Sequence, residues 1–143
     1  MMKYETPQKI LDSFKEKFQG DLIEEPYEKK FANGKKRTEY SQLFIRVKRE
    51  RFIEAAQHLT SFEWPHHTVA SGSDVGDEIE VLFHFELYTE THGKGITVTI
   101  GTRAPKTDPH IPSLSDVYPA VTPTEREKQE FLGVAIDGIK DNR

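Results

Sequence analysis

The residues with the most chemical potential lie near the C-terminal end, in Glu125-Arg126-Glu127 and Glu130. Two carboxylates this close could be an acid–base pair, but two positions along a helix place them on different faces, and no partner for proton transfer is evident. His66-His67 beside Glu63 could hold a metal, yet adjacent residues on a strand point to opposite sides, so they rarely share one ion. His58, His84, His92 and His110 lack ligand spacing, and Asp74 with Asp77 is too sparse for a calcium loop. Ser71-Gly72-Ser73-Asp74 and Gly93-Lys94-Gly95 lack the rest of any phosphate-cradling loop. Zero cysteines among 143 residues exclude disulfides, thiolate ligation of iron–sulfur clusters and cysteine nucleophiles. The expectation is no catalytic residue, no metal and no cofactor.

The acidic cluster instead reads as helix chemistry. Ser113-Leu114-Ser115-Asp116 and Thr122-Pro123-Thr124-Glu125 each have the form of a capping box, a hydroxyl followed three places on by an acid. Pro119 limits the first helix to about one turn, because proline disfavours helix in the residue before it. Pro123 suits the first turn of the second, and Gly133 is its expected left-handed stop. Arg126 lies four before Glu130, a pairing worth about 0.2–0.5 kcal/mol on an exposed helix. Phe131, Val134, Ile136 and Ile139 add apolar area to a segment too short for its own core. That is the profile of a docking element. Arginine suits bidentate pairing across such a contact.

The elements that must carry this arm follow from hydrophobic periodicity. Thr6-Pro7 opens a helix with Ile10, Leu11, Phe14 and Phe18 on one face and Gly20 as its end. Residues 21–31 read as extended, Asn33-Gly34 as a tight hairpin turn and 38–47 as the return strand. A second helix spans 49–59 with Phe52, Ile53, Ala56 and Leu59 inward and a poorly capped start. His66–Ser71 reads as a short strand, and 72–77 as a turn. Glu78–Tyr88 alternates Ile79, Val81, Phe83, Phe85 and Leu87 with mostly polar residues, as a half-buried antiparallel strand does. Ile96, Val98 and Ile100 mark the next strand. The predicted class is α+β: a mostly antiparallel sheet with two helices on one face and a C-terminal proline-rich arm with short helices. Residues 1–107 form the core and 108–143 a docking arm of the same domain.

The run Pro112-Ser113, Asp116-Val117-Tyr118-Pro119, Glu125-Arg126-Glu127 and Glu130-Phe131-Leu132-Gly133-Val134 resembles the thirty-kilodalton subunit of respiratory complex I, the NADH:quinone oxidoreductase. The same module occurs in energy-converting membrane-bound nickel-iron hydrogenases, and the resemblance extends loosely back to Ser71. It departs from the family at Pro123, where tryptophan is usual, and after Asp137-Gly138, where Ile139-Lys140-Asp141-Asn142-Arg143 replaces the family's longer tail. A short hydrogenase-type member fits this pattern. The resemblance implies a cofactor-free subunit of an oxidoreductase complex, not catalytic alone, bracing a cluster-bearing small subunit and a large subunit. It implies a subunit interface at Asp116, Tyr118, Pro119, Glu125, Arg126, Glu127, Glu130, Phe131 and Gly133. It also implies a cytoplasmic location at the inner face of the cell membrane, held there through partner subunits.

Charge divides the chain. Residues 1–60 carry 13 Lys/Arg against 10 Asp/Glu, a net of +3, and residues 61–143 carry 7 against 14, a net of −7. The basic residues concentrate at Lys29-Lys30, Lys35-Lys36-Arg37 and Arg46–Arg51, around the hairpin. The alternative reading is therefore a free-standing α+β binding module that uses this hairpin for nucleic acid. No aromatic pattern of the RNA-recognition type accompanies the charges, and the main reading expects no nucleic acid. The hydrophobic fraction of 35% and the charged fraction of 31% are those of a water-facing domain. No apolar run reaches the length of a membrane span, and Met1–Lys9 lacks the apolar centre of a secretory leader.

Overall fold

Thr6 accepts the amide N–H of Lys9 on its side-chain oxygen at 3.3 Å, and this cap, with proline in the first turn, starts helix α1 (Pro7–Phe18). The computed structural model describes residues 4–33, 38–89 and 95–138, without the side chains of 32–33, 38–39, 67–68, 120, 122, 130 and 131. Ile10, Leu11, Phe14 and Phe18 of α1 are buried, as their spacing predicts. The helix gives way to a single 3-10 turn at Gln19–Asp21, and the positive φ of 35° falls on Gln19 rather than on Gly20.

Strands β1 (Tyr27–Asn33) and β2 (Thr38–Arg46) pair antiparallel from Tyr27↔Phe44 to Asn33↔Thr38. The expected turn at Asn33-Gly34 falls on Gly34, outside the described residues. Helix α2 (Phe52–Leu59) follows a 3-10 turn at Arg49–Arg51, and no side chain caps it. Its buried stripe is Phe52, Ala55, Ala56 and Leu59. Ile53 lies outside that stripe and is 37% exposed, contrary to the inward position expected for it.

Strands β3 (His66–Asp74), β4 (Glu78–Leu87) and β5 (Ile96–Pro105) complete a five-stranded sheet of order β1-β2-β5-β4-β3. Each of these five strands overlaps a segment expected to be extended, β1 only from Tyr27 onward. β3 continues past Ser71, and β5 past Ile100, because each keeps a partner on β4 as far as Asp74↔Ile79 and Glu78↔Pro105. All neighbours are antiparallel except β2 and β5, which run parallel from Ser41↔Ile96 to Arg46↔Gly101.

Register makes one face apolar. Leu43, Val98 and Phe85 form one cross-sheet row, and Ile45, Ile100 and Phe83 the next, all fully buried. α1 and α2 cover this face, and Ile111, Leu114, Tyr118, Val121, Val134 and Ile136 of the C-terminal stretch join the same core. Fully burying a phenylalanine contributes about 1.5–3 kcal/mol, so Phe14, Phe18, Phe52, Phe83 and Phe85 carry much of the stabilisation. The opposite face mixes polar and aromatic side chains, with Tyr27 stacked on Phe44 and Phe31 on Tyr40. Arg46 and Arg103 converge on Glu80 at 2.9 and 2.8 Å, and Gln42, Thr99, His84 and Ser71 form a hydrogen-bonded row across four strands. Burial pushes the Glu80 carboxyl up, but the hydrogen bonds and charges of Arg103 and Arg46 outweigh it and hold the group below its usual range.

The chain then forms β6 (His110–Pro112), a turn over 115–117, a 3-10 turn at Pro119–Val121, helix α3 (Thr122–Leu132) and β7 (Ala135–Asp137). β6 and β7 pair parallel, from His110↔Ala135 to Pro112↔Asp137. Gly133 caps α3 in the left-handed conformation (φ 69°), as expected from its position.

Candidate functional site

The arm is a closed loop of chain, and Glu125 sits at its centre. In the first turn of α3 this residue is 1% exposed. One carboxylate oxygen accepts the Ser113 hydroxyl at 2.7 Å, and the other accepts the Leu114 amide N–H, also at 2.7 Å. The two expected capping boxes give way to other bonds: the Glu125 carboxylate goes to Ser113 and Leu114, and the Ser113 N–H to the Asp137 carbonyl. α3 has Val121 at its N-cap and no side-chain cap. Its first-turn acid reaches across to the preceding loop because the buried Leu114 N–H has a stronger claim on it than a solvent-facing helix end. Ser113 accepts the N–H of Ser115 at 3.0 Å, and Asp116 is exposed. The amides of Val117 and Tyr118 both donate to the Leu114 carbonyl, at 3.0 and 2.8 Å, so a turn replaces the first short helix. Burial holds the Glu125 carboxyl above its usual range, against the pull of the Leu114 and Ser113 hydrogen bonds.

Three further ties seat the arm. Tyr118 is 3% exposed, its hydroxyl donates to the Ala56 carbonyl of α2 at 2.5 Å, and its ring lies 4.9 Å from that of Phe85. Burial drives the Tyr118 phenol well above its usual range. Arg49 donates to the carbonyls of Asp108 and His110 at 2.7 and 3.0 Å and to the Asp108 carboxylate at 2.6 Å. At the far end of α3, Leu132 packs where a side chain on Gly72 of β3 would stand. The ribbon itself closes through Ser113 N–H to the Asp137 carbonyl (2.8 Å), Ala135 N–H to the Pro109 carbonyl (2.7 Å) and Ile136 N–H to the Gln129 side chain (3.0 Å). His110 meets the Asp137 carboxylate at 2.9 Å, and that hydrogen bond, with the charge behind it, raises the imidazole pKa.

The nine positions expected at an interface therefore divide. Asp116, Pro119, Glu127 and Gly133 are exposed, and Arg126 is half-buried. Tyr118 and Glu125 face the interior of their own chain. The side chains of Glu130 and Phe131 lie outside the described residues. Trp64, absent from those nine, is 60% exposed, with its ring 5.3 Å from Tyr118. A tryptophan isolated between Glu63 and Pro65 was the available signal. Glu63 accepts the Tyr88 amide N–H at 2.5 Å. Among the described residues, no group of three His, Cys, Asp or Glu side chains is placed to hold a metal.

Residues 45–143 match the family described as "Respiratory-chain NADH dehydrogenase, 30 Kd subunit". The chain belongs to this family. Among its relatives, the membrane-bound hydrogenase subunit beta of Pyrococcus furiosus is 29% identical over 103 residues, covering 71% of this chain and 59% of that protein. The C subunit of the NADH-quinone oxidoreductase of Mycolicibacterium gilvum is 34% identical over 104 residues, covering 68% of this chain and 44% of that protein. The chain thus spans about half the length of these curated relatives. A trypsin-resistant fragment of Nqo5 superposes with a TM-score of 0.65 at 21% identity, over 94% of this chain and 97% of that one. A chain of the membrane-bound sulfane sulfur reductase, an archaeal respiratory membrane complex, gives 0.68 at 20% identity, over 95% and 73%. At these identities the likeness shows a shared α+β fold. The nucleic-acid alternative finds no support among these relatives.

Proposed function

We propose that this member of the thirty-kilodalton family is a non-catalytic, cofactor-free subunit of a complex I-like or membrane-bound hydrogenase-type assembly. In this reading the arm braces a cluster-bearing small subunit and a large subunit at the inner face of the cell membrane. Partner subunits supply the attachment in this reading; no helix among the described residues is long and apolar enough to cross a membrane. The observation that carries the reading is the division of labour in Glu125-Arg126-Glu127. Glu125 is spent inside the fold on Ser113 and Leu114, while Glu127 is exposed and Arg126 half-buried in the same helical turn. Tyr118 and Glu125 then act as positioning residues, and Asp116, Pro119, Arg126, Glu127 and Gly133 present the surface. Trp64 extends that surface as an aromatic anchor, because its ring rests against Tyr118, which is itself packed on Phe85.

The test is Arg126→Glu in the native host. The isolated variant is expected to melt within about 0.5 kcal/mol of the parent, while co-purification of the redox subunits from detergent-solubilised membranes is lost. Co-purification at the parent level would reject the arm as the contact. A large fall in melting temperature would make Arg126 a structural residue instead.

A further inference from the structure

Beside the arm, at the seam between the start of α2 and the β6–β7 ribbon, lies a cleft of about 540 Å³. Its composition is uneven. Glu50, Asp108 and Asp137 bring three carboxylates, against one fixed cation, Arg49, and the titratable His110. Arg49 is already committed to the arm, through three donated hydrogen bonds to Asp108 and His110. His110 is engaged with one oxygen of Asp137. Glu50 stands at the rim with its side chain 71% exposed, 3.8 Å from Arg49. A carboxylate accepts up to about four hydrogen bonds, so all three acids keep acceptor capacity toward the cleft. The remaining lining, Ile53 and Pro112, is aliphatic, and Ile53 is the α2 residue that the core leaves outside.

We propose that this cleft receives an arginine side chain from a partner protein. An acidic rim over an aliphatic floor matches the two parts of that side chain: a planar guanidinium with five donors, carried on an apolar stem that prefers to lie along hydrocarbon. With Arg49 already held, the acid excess repels phosphate and carboxylate groups and favours a cation. The docking is to a protein, because the stem needs a surface that holds it in register with the rim. It rests on the proposed subunit role only for the identity of the chain that brings the arginine.

The first experiment needs no partner. The purified full chain is titrated with N-acetyl-L-argininamide and followed by amide resonances, with inorganic phosphate as the control of opposite charge. Saturable shifts are expected at Arg49, Glu50, Ile53, His110 and Asp137, with none from phosphate. Glu50→Gln, a rim change that disturbs no link within the arm, should weaken the probe about threefold, the scale of one exposed ion pair, and added salt should weaken it further. Absence of shifts at the cleft, or equal shifts with phosphate, overturns the proposal. Tighter probe binding in a Lys140→Gln/Arg143→Gln variant would assign the cleft to this chain's own tail, which also overturns it. The second experiment uses the assembled complex. Glu50→Lys should lower the salt concentration at which partner subunits are released, and an unchanged release point counts against a partner in the cleft. If even the parent chain retains no partner, the subunit reading fails, and the probe titration still decides the chemistry of the cleft.

Discussion

Glu125 shows how one carboxylate can be structural in a motif that looks chemical. Its two oxygens satisfy a hydroxyl and a backbone N–H that are themselves buried, so truncation orphans the Leu114 N–H and leaves the Ser113 hydroxyl only the Ser115 hydroxyl, 2.7 Å away, to donate to. Glu125→Ala is expected to cost about 1–3 kcal/mol, the penalty for an unpaired buried donor with its neighbours, read as a lowered melting temperature. Glu125→Gln behaves differently. Its amide oxygen can accept the Leu114 N–H while its NH₂ donates to Ser113. Burial raises the Glu125 pKa when folded, so the folded state holds this proton more tightly than the unfolded chain does. The stabilisation is complete below the unfolded value and is lost as pH rises through the folded one. Glu125→Gln should therefore flatten the fall in stability on the alkaline side of the ordinary carboxylate range. A pH series of urea midpoints checks it, and an unaltered slope would show that this proton is not the one responsible. Glu80 has the opposite sign. Its depressed value makes its contribution present at neutral pH and lost as the solution is acidified.

At the scale of elements, the arm is a helix clamped between two three-residue strands, and its hold on β3 depends on a missing side chain. Gly72→Val would place branched carbon where Leu132 now packs. Overpacking of this kind costs about 1–3 kcal/mol, and the loss should concentrate in the last turn of α3. Hydrogen exchange should report faster amides there and unchanged ones in β4 and β5; uniform loosening would mean that the contact serves the whole fold. The strands that the sequence announced are those with long alternation. β4 was legible because Val81, Phe83, Phe85 and Leu87 obey a period of two over its length. β6 and β7 were not, because three residues carry no period and their pairing joins positions about 25 apart. α2 was placed correctly while Ile53 was assigned to the wrong side, since an eight-residue helix leaves its phase open by one position. The motif Glu125-Arg126-Glu127 located the candidate surface. It could not show that Glu125 turns inward, because its partners Ser113 and Leu114 are distant in sequence and lie in a loop.

For the whole molecule, residues 108–138 are continuous with the core rather than appended to it. Ile111, Leu114, Tyr118, Val121, Val134 and Ile136 lie on the same apolar layer as the sheet. We expect a chain ending at Thr107 to lose cooperative thermal unfolding and to bind a hydrophobic dye. A sharp transition with the parent's near-ultraviolet circular dichroism would instead make the arm a dispensable appendage. The parallel contact of β2 with β5 bears on how such a molecule is made. Ser41 waits for Ile96, so during synthesis at about 5–20 residues per second the inner edge of the first hairpin stays bare for several seconds after it leaves the ribosome. A translational pause between these two points would lengthen that interval and favour off-pathway strand exchange between nascent chains.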